Sequence, residues 1–496
     1  MPQHIHVNGF EMATPGHINH GLWRVPGNRR TQYTSLDYWT DLARTLERGL
    51  FDAVFLADVV GTYTTYKGDR RAALRAGMQV PNIDPMFVIP AMAAVTEHLA
   101  FAVTSSTTYE PPFGHARRLS TLDHLTRGRL AWNIVTGYLP DAALNYGLSE
   151  QIKHDDRYAI AEEYLEVVYR LLEQSWDDDA VVQDAENLVY TDPDRVHEIG
   201  FEGTYFQVAG PHLSEPSPQR TPVLYQAGTS ARGKAFAARH AEGVFLLPRD
   251  DAQAREEIAD LRRLTVEAGR AADHVKAFVG VEIVTAPTPE EVAAKVAVLQ
   301  QQRDVEGHLV LFSGWAGIDL SGEDTDSWLE FNGGDAMQTF ERMWSEGADR
   351  KKVGELVEHL SRPEHNKLFI AGTPDVVADR LEQLIDGTGA DGINLIQHLS
   401  PGTFEDFVDH IVPELQRRGR YRTAYTPGET LRERFFGAGH ARPLADHPAA
   451  QFATPIPGLR PGPVAPSGQL WSRGVGDLTV GRWSRLMNSP HGTAIY

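Results

Sequence analysis

The chain has 496 residues, 42% of them hydrophobic and 23% charged, which is enough apolar content to bury a large core and excludes a disordered chain. Its 47 Lys and Arg stand against 67 Asp and Glu; the formal charge of −20 argues against nucleic acid or an anionic membrane as main partner, because phosphate binding needs a basic face. There is no cysteine, hence no disulfide, thiolate metal site or cysteine nucleophile, and with no apolar signal core near the N-terminus and no apolar run approaching the ~20 residues of a membrane span, a cytoplasmic protein is expected.

Eight short apolar runs follow one another, at residues 4–10, 51–57, 99–106, 129–136, 221–228, 242–247, 275–285 and 392–397. Between them lie stretches with helical periodicity at 35–49, 86–98, 114–126, 156–175, 230–240, 251–269, 288–303 and 373–387. Near-continuous apolar strands alternating with amphipathic helices indicate a parallel sheet covered by helices. Eight such units close into a (β/α)8 TIM barrel, whose active site lies on loops at the C-terminal ends of the strands. Those loops, 11–20, 58–66, 104–109, 133–140, 226–230 and 397–400, hold polar and titratable residues, which points to an enzyme.

Four stretches exceed the minimal repeat: 62–84, 138–155, 176–218 and 306–367. Long insertions on a barrel are typically lids or substrate walls. The largest, with Gly314, Trp315, Gly317, Trp328 and Trp344, is expected to cover the site, an outer decoration or subunit contact being the alternative. The barrel domain is assigned to 1–436. The Pro-, Gly- and Ala-rich segment 437–496 reads as an extended arm that Trp471, Leu478, Trp483 and Met487 would anchor.

The sharpest local signal runs from Thr221 to Gly233, where an apolar strand leads into Gly228, Thr229 and Ser230 and then a helix of small residues. Backbone N–H groups at a helix N-terminus bind phosphate, and a glycine lets a ligand approach the backbone; Ser230 is equally an ordinary N-cap. His154, Asp155, Asp156, Arg157 and Tyr158 open another helix, where Arg157 and Tyr158 could meet the same anion or serve only as capping chemistry. His17 and His20 are three apart in a loop, but with no HExxH and no third ligand at a supporting spacing, no metal is expected. His17 reads better as a proton or hydrogen-bond donor. The absence of GxGxxG, Walker and GxSxG motifs argues against a Rossmann or nucleophile-elbow enzyme. Asp58 ends a buried strand, as a ligand or a loop cap. Asn133 interrupts an apolar strand, and a buried amide needs partners, which the edge of a planar heteroaromatic ring would supply. Asp58, Thr104 and Asn133 at strand ends, with a phosphate cradle at 228–230, describe a pocket for flavin mononucleotide better than one for a sugar or a bare anion.

The stretches HIHVNGFEM (4–12), GHINHGLWR (16–24), FDAVFLADVVG (51–61), FAVTSSTTY (101–109), RRLSTLDHLT (117–126), GPHLSEPSPQR (210–220) and SPGTF (400–404) resemble the bacterial luciferase-like flavin monooxygenases. The branch is that of nitrilotriacetate and dibenzothiophene-sulfone monooxygenases, with the long-chain alkane monooxygenases most similar, and the resemblance covers about residues 3–440. It implies a barrel that takes reduced FMN from a separate NAD(P)H:FMN reductase, uses O2 to oxygenate a substrate, and assembles as a homodimer or homotetramer. It places Asp58, Thr104, Asn133, His154, Tyr158, Gly228 and Ser230 at flavin-contacting positions, and His17, Tyr63, Gln79 and Tyr138 beside the reactive ring. Phe10, Met12, Thr14, Phe55, Val59 and Leu311 would line the substrate pocket. The chain departs from the alkane oxygenases at Thr14, where they have cysteine, and at Tyr138 and Leu311, where they have histidine. The expected activity is oxygenation of an apolar substrate, such as a long-chain alkane to a primary alcohol. The alternatives are a sulfur- or nitrogen-containing xenobiotic, to which Tyr138 could donate a hydrogen bond, and a flavin- or deazaflavin-binding protein without oxygenase activity.

Overall fold

Eight parallel strands pair in chain order and close on themselves: β1 (His6–Met12), β2 (Ala53–Ala57), β3 (Ala100–Ser106), β4 (Leu130–Val135), β5 (Val223–Gln226), β6 (Gly243–Leu246), β7 (Lys276–Thr285) and β8 (Gly392–Ile396). The last pairs with the first, His6 beside Gly392 through Phe10 beside Ile396. The computed structural model describes residues 4–228, 230–330, 351–362 and 368–453. One face of each strand fills the barrel interior, with Phe10, Phe55, Tyr225, Phe245, Phe278 and Ile396 packed together. The other face, including Val7, Val54, Leu56, Trp132, Leu224 and Leu395, packs in the outer apolar cluster with helix residues such as Leu46, Leu165 and Leu381. Burial on both faces is why the strands read as continuous apolar runs.

Helices Leu36–Arg48, Pro112–Thr126, His154–Tyr169, Ala231–His240, Asp251–Glu267, Pro289–Gln302 and Pro374–Thr388 occupy the periodic stretches. The helix expected over 86–98 is a correction: only Ile89–Ala93 is α-helical, after a 3-10 turn at Pro85–Phe87. The backbone beyond it is captured by distant side chains. Glu47 accepts from the amides of Glu97, His98 and Leu99 at 2.8, 2.5 and 3.0 Å, while Arg129 donates to the carbonyls of Thr96 and Leu99 at 3.2 and 2.9 Å. A further strand, Phe369–Gly372, lies outside the expected eight and pairs with the C-terminal half of β7, Glu282 to Thr285.

The insertions 62–84, 138–155 and 306–367 build one apolar cluster of their own, in which Tyr63, Met78, Leu139, Val310, Leu311 and Leu356 meet. It includes helix Val305–Ala316, which docks on the loop after β1 through Asp304 N donating to the His20 carbonyl at 3.0 Å. Insertion 176–218 forms two short antiparallel ladders instead. At the opposite mouth, helix Leu431–Phe436 contributes Leu431 and Phe435 to the barrel interior. Residues 437–453 continue against the barrel, with His447 and Ala449 buried and His447 Nε2 bonded to the His240 carbonyl at 2.8 Å. Trp344 and the four anchors expected in the arm, Trp471, Leu478, Trp483 and Met487, lie outside the described residues. Among the described residues no helix is long and apolar enough to cross a membrane.

Candidate active site

Two helices begin beside the end of β5. Ser230 caps Ala231–His240, its Oγ accepting from Gly233 N at 3.0 Å, and the same oxygen lies 3.2 Å from His154 Nε2. His154 opens helix His154–Tyr169, and its Nδ1 is paired with Asp155 at 2.8 Å. Ser230 is thus both an ordinary cap and the meeting point of two positive helix ends, a setting that favours an anion. Tyr158 projects its hydroxyl into this point. A Cβ on Gly228 would sit 2.6 Å from Tyr158 Oη and 2.3 Å from Gln226 Nε2, and one on Gly233 would sit 2.7 Å from the same hydroxyl. Only glycine leaves room for the tyrosine at both places. Gln226, buried at the end of β5, accepts from Gly228 N at 2.7 Å; it orders the loop, a role its position in an apolar strand did not reveal. Arg157 donates to the Ile152 carbonyl.

Across the same mouth, Thr104 and Asn133 stand opposite each other on β3 and β4, and Asn133 Nδ2 donates to Thr104 Oγ1 at 2.9 Å. Asn133 Oδ1 is buried with no partner among the described residues. Such an orphan acceptor costs about 1–3 kcal/mol unless something donates to it, and a ring N–H of a flavin is a donor of the right kind. The donor set and the glycine-lined cradle therefore fit a flavin phosphate. Asp58 follows β2 and lines a cavity of about 210 Å³ with Val59, Asp84, Thr104, Tyr109, Glu110 and Tyr146. Loss of hydration, then the charge of Asp84 and more weakly Glu110, pushes its carboxyl up to about 7, against a hydrogen bond from the Val59 amide.

On the other side of the mouth His17 is buried, its ring 4.7 Å from that of Phe10. Burial, then the positive Arg30 and the neighbouring His20, holds its pKa well below the usual imidazole range, so it is a neutral hydrogen-bonding group. Arg30 is itself fixed by Glu11 at 2.8 Å, and Glu11 also takes the Met12 amide at 2.8 Å and Gln397 Nε2 at 2.9 Å. His20 packs edge-on against His308 at 5.0 Å, with its basicity lowered to about 3 by burial and by Arg303 and Arg30. Among the described residues no cluster of three metal-ligating side chains occurs.

Gln79 joins this loop from the insertion after β2. Its backbone is left-handed at φ +52°, a conformation a non-glycine residue keeps only when its surroundings over-determine it. Here Gln79 N donates to the Gly16 carbonyl at 2.7 Å, Nε2 to the His17 carbonyl at 3.2 Å, and Oε1 accepts from Tyr63 Oη at 2.9 Å. Tyr63 and Tyr138 share a hydrogen bond, and Trp315 Nε1 donates to Tyr138 Oη at 3.0 Å. His17, Tyr63, Gln79 and Tyr138 thus form one wall. Trp315 completes it, although its sequence context marked it only as part of an insertion.

The apolar residues divide. Phe10 sits between His17 and the barrel interior, and Phe55 lies deeper, enclosed by Phe10, Tyr225 and Phe245 at 5.5, 5.5 and 5.8 Å. Met12 and Thr14 are buried at the end of β1, where Thr14 Oγ1 has no partner among the described residues. Val59 borders the cavity beside Asp58, and Leu311 lies in the insertion cluster with Tyr63.

The luciferase-like monooxygenase family matches residues 21–392. Long-chain alkane monooxygenase of Geobacillus thermodenitrificans is 50% identical over 454 residues, covering 91% of this chain and 98% of the relative. A crystal structure of long-chain alkane monooxygenase superposes with a TM-score of 0.85 at 49% identity, covering 91% of this chain and 100% of that one. Dimethyl-sulfide monooxygenase of Hyphomicrobium sulfonivorans is 45% identical over 454 residues, 91% of this chain and 94% of the relative. With the barrel, the cradle and these similarities together, the chain belongs to the luciferase-like family of flavin-dependent monooxygenases.

Proposed function

We propose that the protein is the oxygenase of a two-component system, taking reduced FMN from a separate NAD(P)H:FMN reductase and oxygenating an apolar substrate, a long-chain alkane to its primary alcohol. The observation that carries this reading is the pairing of an anion cradle, where two helix N-termini meet at Ser230, with the orphan acceptor of Asn133 in the same barrel mouth. When bound, reduced FMN supplies the electrons that activate O2. His154, Tyr158, Gly228 and Ser230 would hold the single phosphate. Asp58, Thr104 and Asn133 would meet the polar groups of the flavin ring. The neutral imidazole of His17 would offer a hydrogen bond at the reaction site, and Tyr63, Gln79 and Tyr138 fix the loop that carries it. Phe10, Met12, Thr14, Val59 and Leu311 keep water from the substrate, over the barrel floor that Phe55 supports.

A second reading, oxygenation of a small organic sulfide or amine, is favoured by the similarity to dimethyl-sulfide monooxygenase. The test is turnover by the purified protein with a generic reductase and NADH. FMN or FAD is supplied with a panel of n-alkanes, sulfides and amines, and products are read by mass spectrometry. Alcohols from alkanes with FMN, and little with FAD, are expected. Products from sulfides or amines alone establish the second reading, equal turnover with FAD refutes the single-phosphate cradle, and oxygen uptake without any product returns the chain to a flavin or deazaflavin binder.

A further inference from the structure

The four side chains beside His17 form a hydrogen-bonded chain whose two ends are chemically one-way. The indole of Trp315 can only donate, and it donates to Tyr138 Oη at 3.0 Å. At the other end the His17 carbonyl can only accept, and it takes Nε2–H of Gln79 at 3.2 Å. That contact turns the amide so that its oxygen faces Tyr63, whose hydroxyl donates to it at 2.9 Å. The single proton of Tyr63 is then committed. The close contact between Tyr63 and Tyr138 must use the remaining proton, that of Tyr138. Every donor runs in one direction, from Trp315 through Tyr138, Tyr63 and Gln79 to the backbone of the His17 loop.

We propose that the His17 carbonyl, acting through Gln79, polarises this chain so that neither tyrosine has a proton to offer a substrate, which makes the wall select against hydrogen-bond acceptors and makes Tyr63, which takes up the Tyr138 proton, a specificity-determining residue. This rests on the apolar-substrate reading above and deepens it. Two tyrosines beside a substrate would otherwise invite a carbonyl, sulfoxide or amine; with both protons committed, their oxygens keep only lone pairs to offer. The apolar cluster that holds Tyr63 reinforces the effect, since it includes Leu139, Val310, Leu311 and Phe312. Helix Val305–Ala316 also holds the geometry. A Cβ on Gly314 would lie 2.0 Å from Tyr63 Cδ1, so the glycine lets the helix backbone press on the ring while the next residue supplies the indole.

Binding of n-decane and of 2-decanone to the FMN-loaded protein, by displacement of a pocket-bound fluorophore, tests the proposal without turnover. The parent should prefer the alkane. Tyr63→Phe leaves the Tyr138 proton without an acceptor, so the preference should move toward the ketone by about three- to tenfold, the worth of one neutral hydrogen bond. Trp315→Phe should leave the ratio near the parent's, because Tyr63 still takes up the Tyr138 proton. Tyr138→His should hold the ratio near the parent's, because a neutral imidazole accepts at one nitrogen and donates at the other. An unchanged ratio in Tyr63→Phe, or a parent that prefers the ketone, overturns the inference. The indole N–H of Trp315, followed by 15N NMR, reads the chain with no ligand. It should exchange slowly in the parent and in Tyr138→His and fast in Tyr138→Phe; fast exchange in the parent also overturns it. A protected indole in a parent that does not bind decane overturns the apolar-substrate reading, and the selectivity with it, while the relay itself stands.

Discussion

At the scale of single residues the mouth of the barrel is electrically divided. Arg30 and Arg303 bear on the histidines after β1, while Asp58, Asp84 and Glu110 gather after β2 and β3. Asp58 carries the consequence. Its carboxyl is pushed up to about 7 in the folded protein from an ordinary 3.8, chiefly by loss of hydration and then by Asp84. Well below its ordinary 3.8 it is protonated in both folded and unfolded chains and costs nothing. As pH rises toward 7 the unfolded chain releases the proton freely and the folded chain does not, so the folded state loses stability through that window and the loss is complete above it. Asp58→Asn removes this dependence. Thermal melts of the flavin-free protein from pH 4 to 8 should show the variant and the parent nearly equal at the acid end, with the variant increasingly the more stable toward pH 8. A gap that stays constant with pH, or a variant less stable at pH 8, would show that Asp58 ionises normally.

At the scale of elements the cradle depends on two helix starts and the glycines between them. Gly228→Ala places a methyl within 2.3 Å of Gln226 Nε2 and 2.6 Å of Tyr158 Oη. Overpacking of this kind costs about 1–3 kcal/mol. It falls on the loop rather than on the core, so the Kd for FMN should rise roughly ten- to hundredfold with little change in Tm. Flavin fluorescence titration measures this, and an unaltered Kd would place the phosphate elsewhere. The cradle was legible in sequence because strand, glycine, cap and helix are contiguous. The eight strands were legible because both faces are apolar, and Asn133 because a buried amide interrupts one of them. Other elements depend on partners far along the chain. The expected helix at 86–98 gives way to Glu47 and Arg129, which lie outside any local window. Glu11 becomes the hub under His17 through Arg30, Gln397 and Tyr38, and Trp315 joins the wall through Tyr138, 177 residues away in sequence.

At the scale of the whole molecule helix Leu431–Phe436 closes the mouth of the barrel opposite the site. This closure bears on the site because of what Arg432 holds. Its guanidinium is fully buried, with Nε 2.6 Å from Glu242 Oε1 and one terminal nitrogen 2.9 Å from Oε2 and 2.8 Å from the Thr221 carbonyl. Glu242 in turn accepts from the Leu224 amide at 3.2 Å. Burial raises the Glu242 carboxyl, and the charge and hydrogen bond of Arg432, with smaller help from His447 and Arg270, more than offset it and hold Glu242 below the usual carboxylate range. The pair therefore fastens the N-terminal ends of β5 and β6, and β5 leads directly into Gly228 and Ser230. Arg432→Met leaves a buried carboxylate without its partner, and removing one member of such a pair costs about 3–5 kcal/mol. Replacing both members, Arg432→Met with Glu242→Leu, removes the stranded charge, and buried pairs exchanged for apolar side chains are often neutral. In urea the single variant should unfold at a much lower midpoint and the double variant should recover most of the loss, with the slope unchanged in each. If the double variant is no more stable than the single, the helix is held by its apolar contacts with Phe278 and Tyr225 and the ion pair is incidental to the closure.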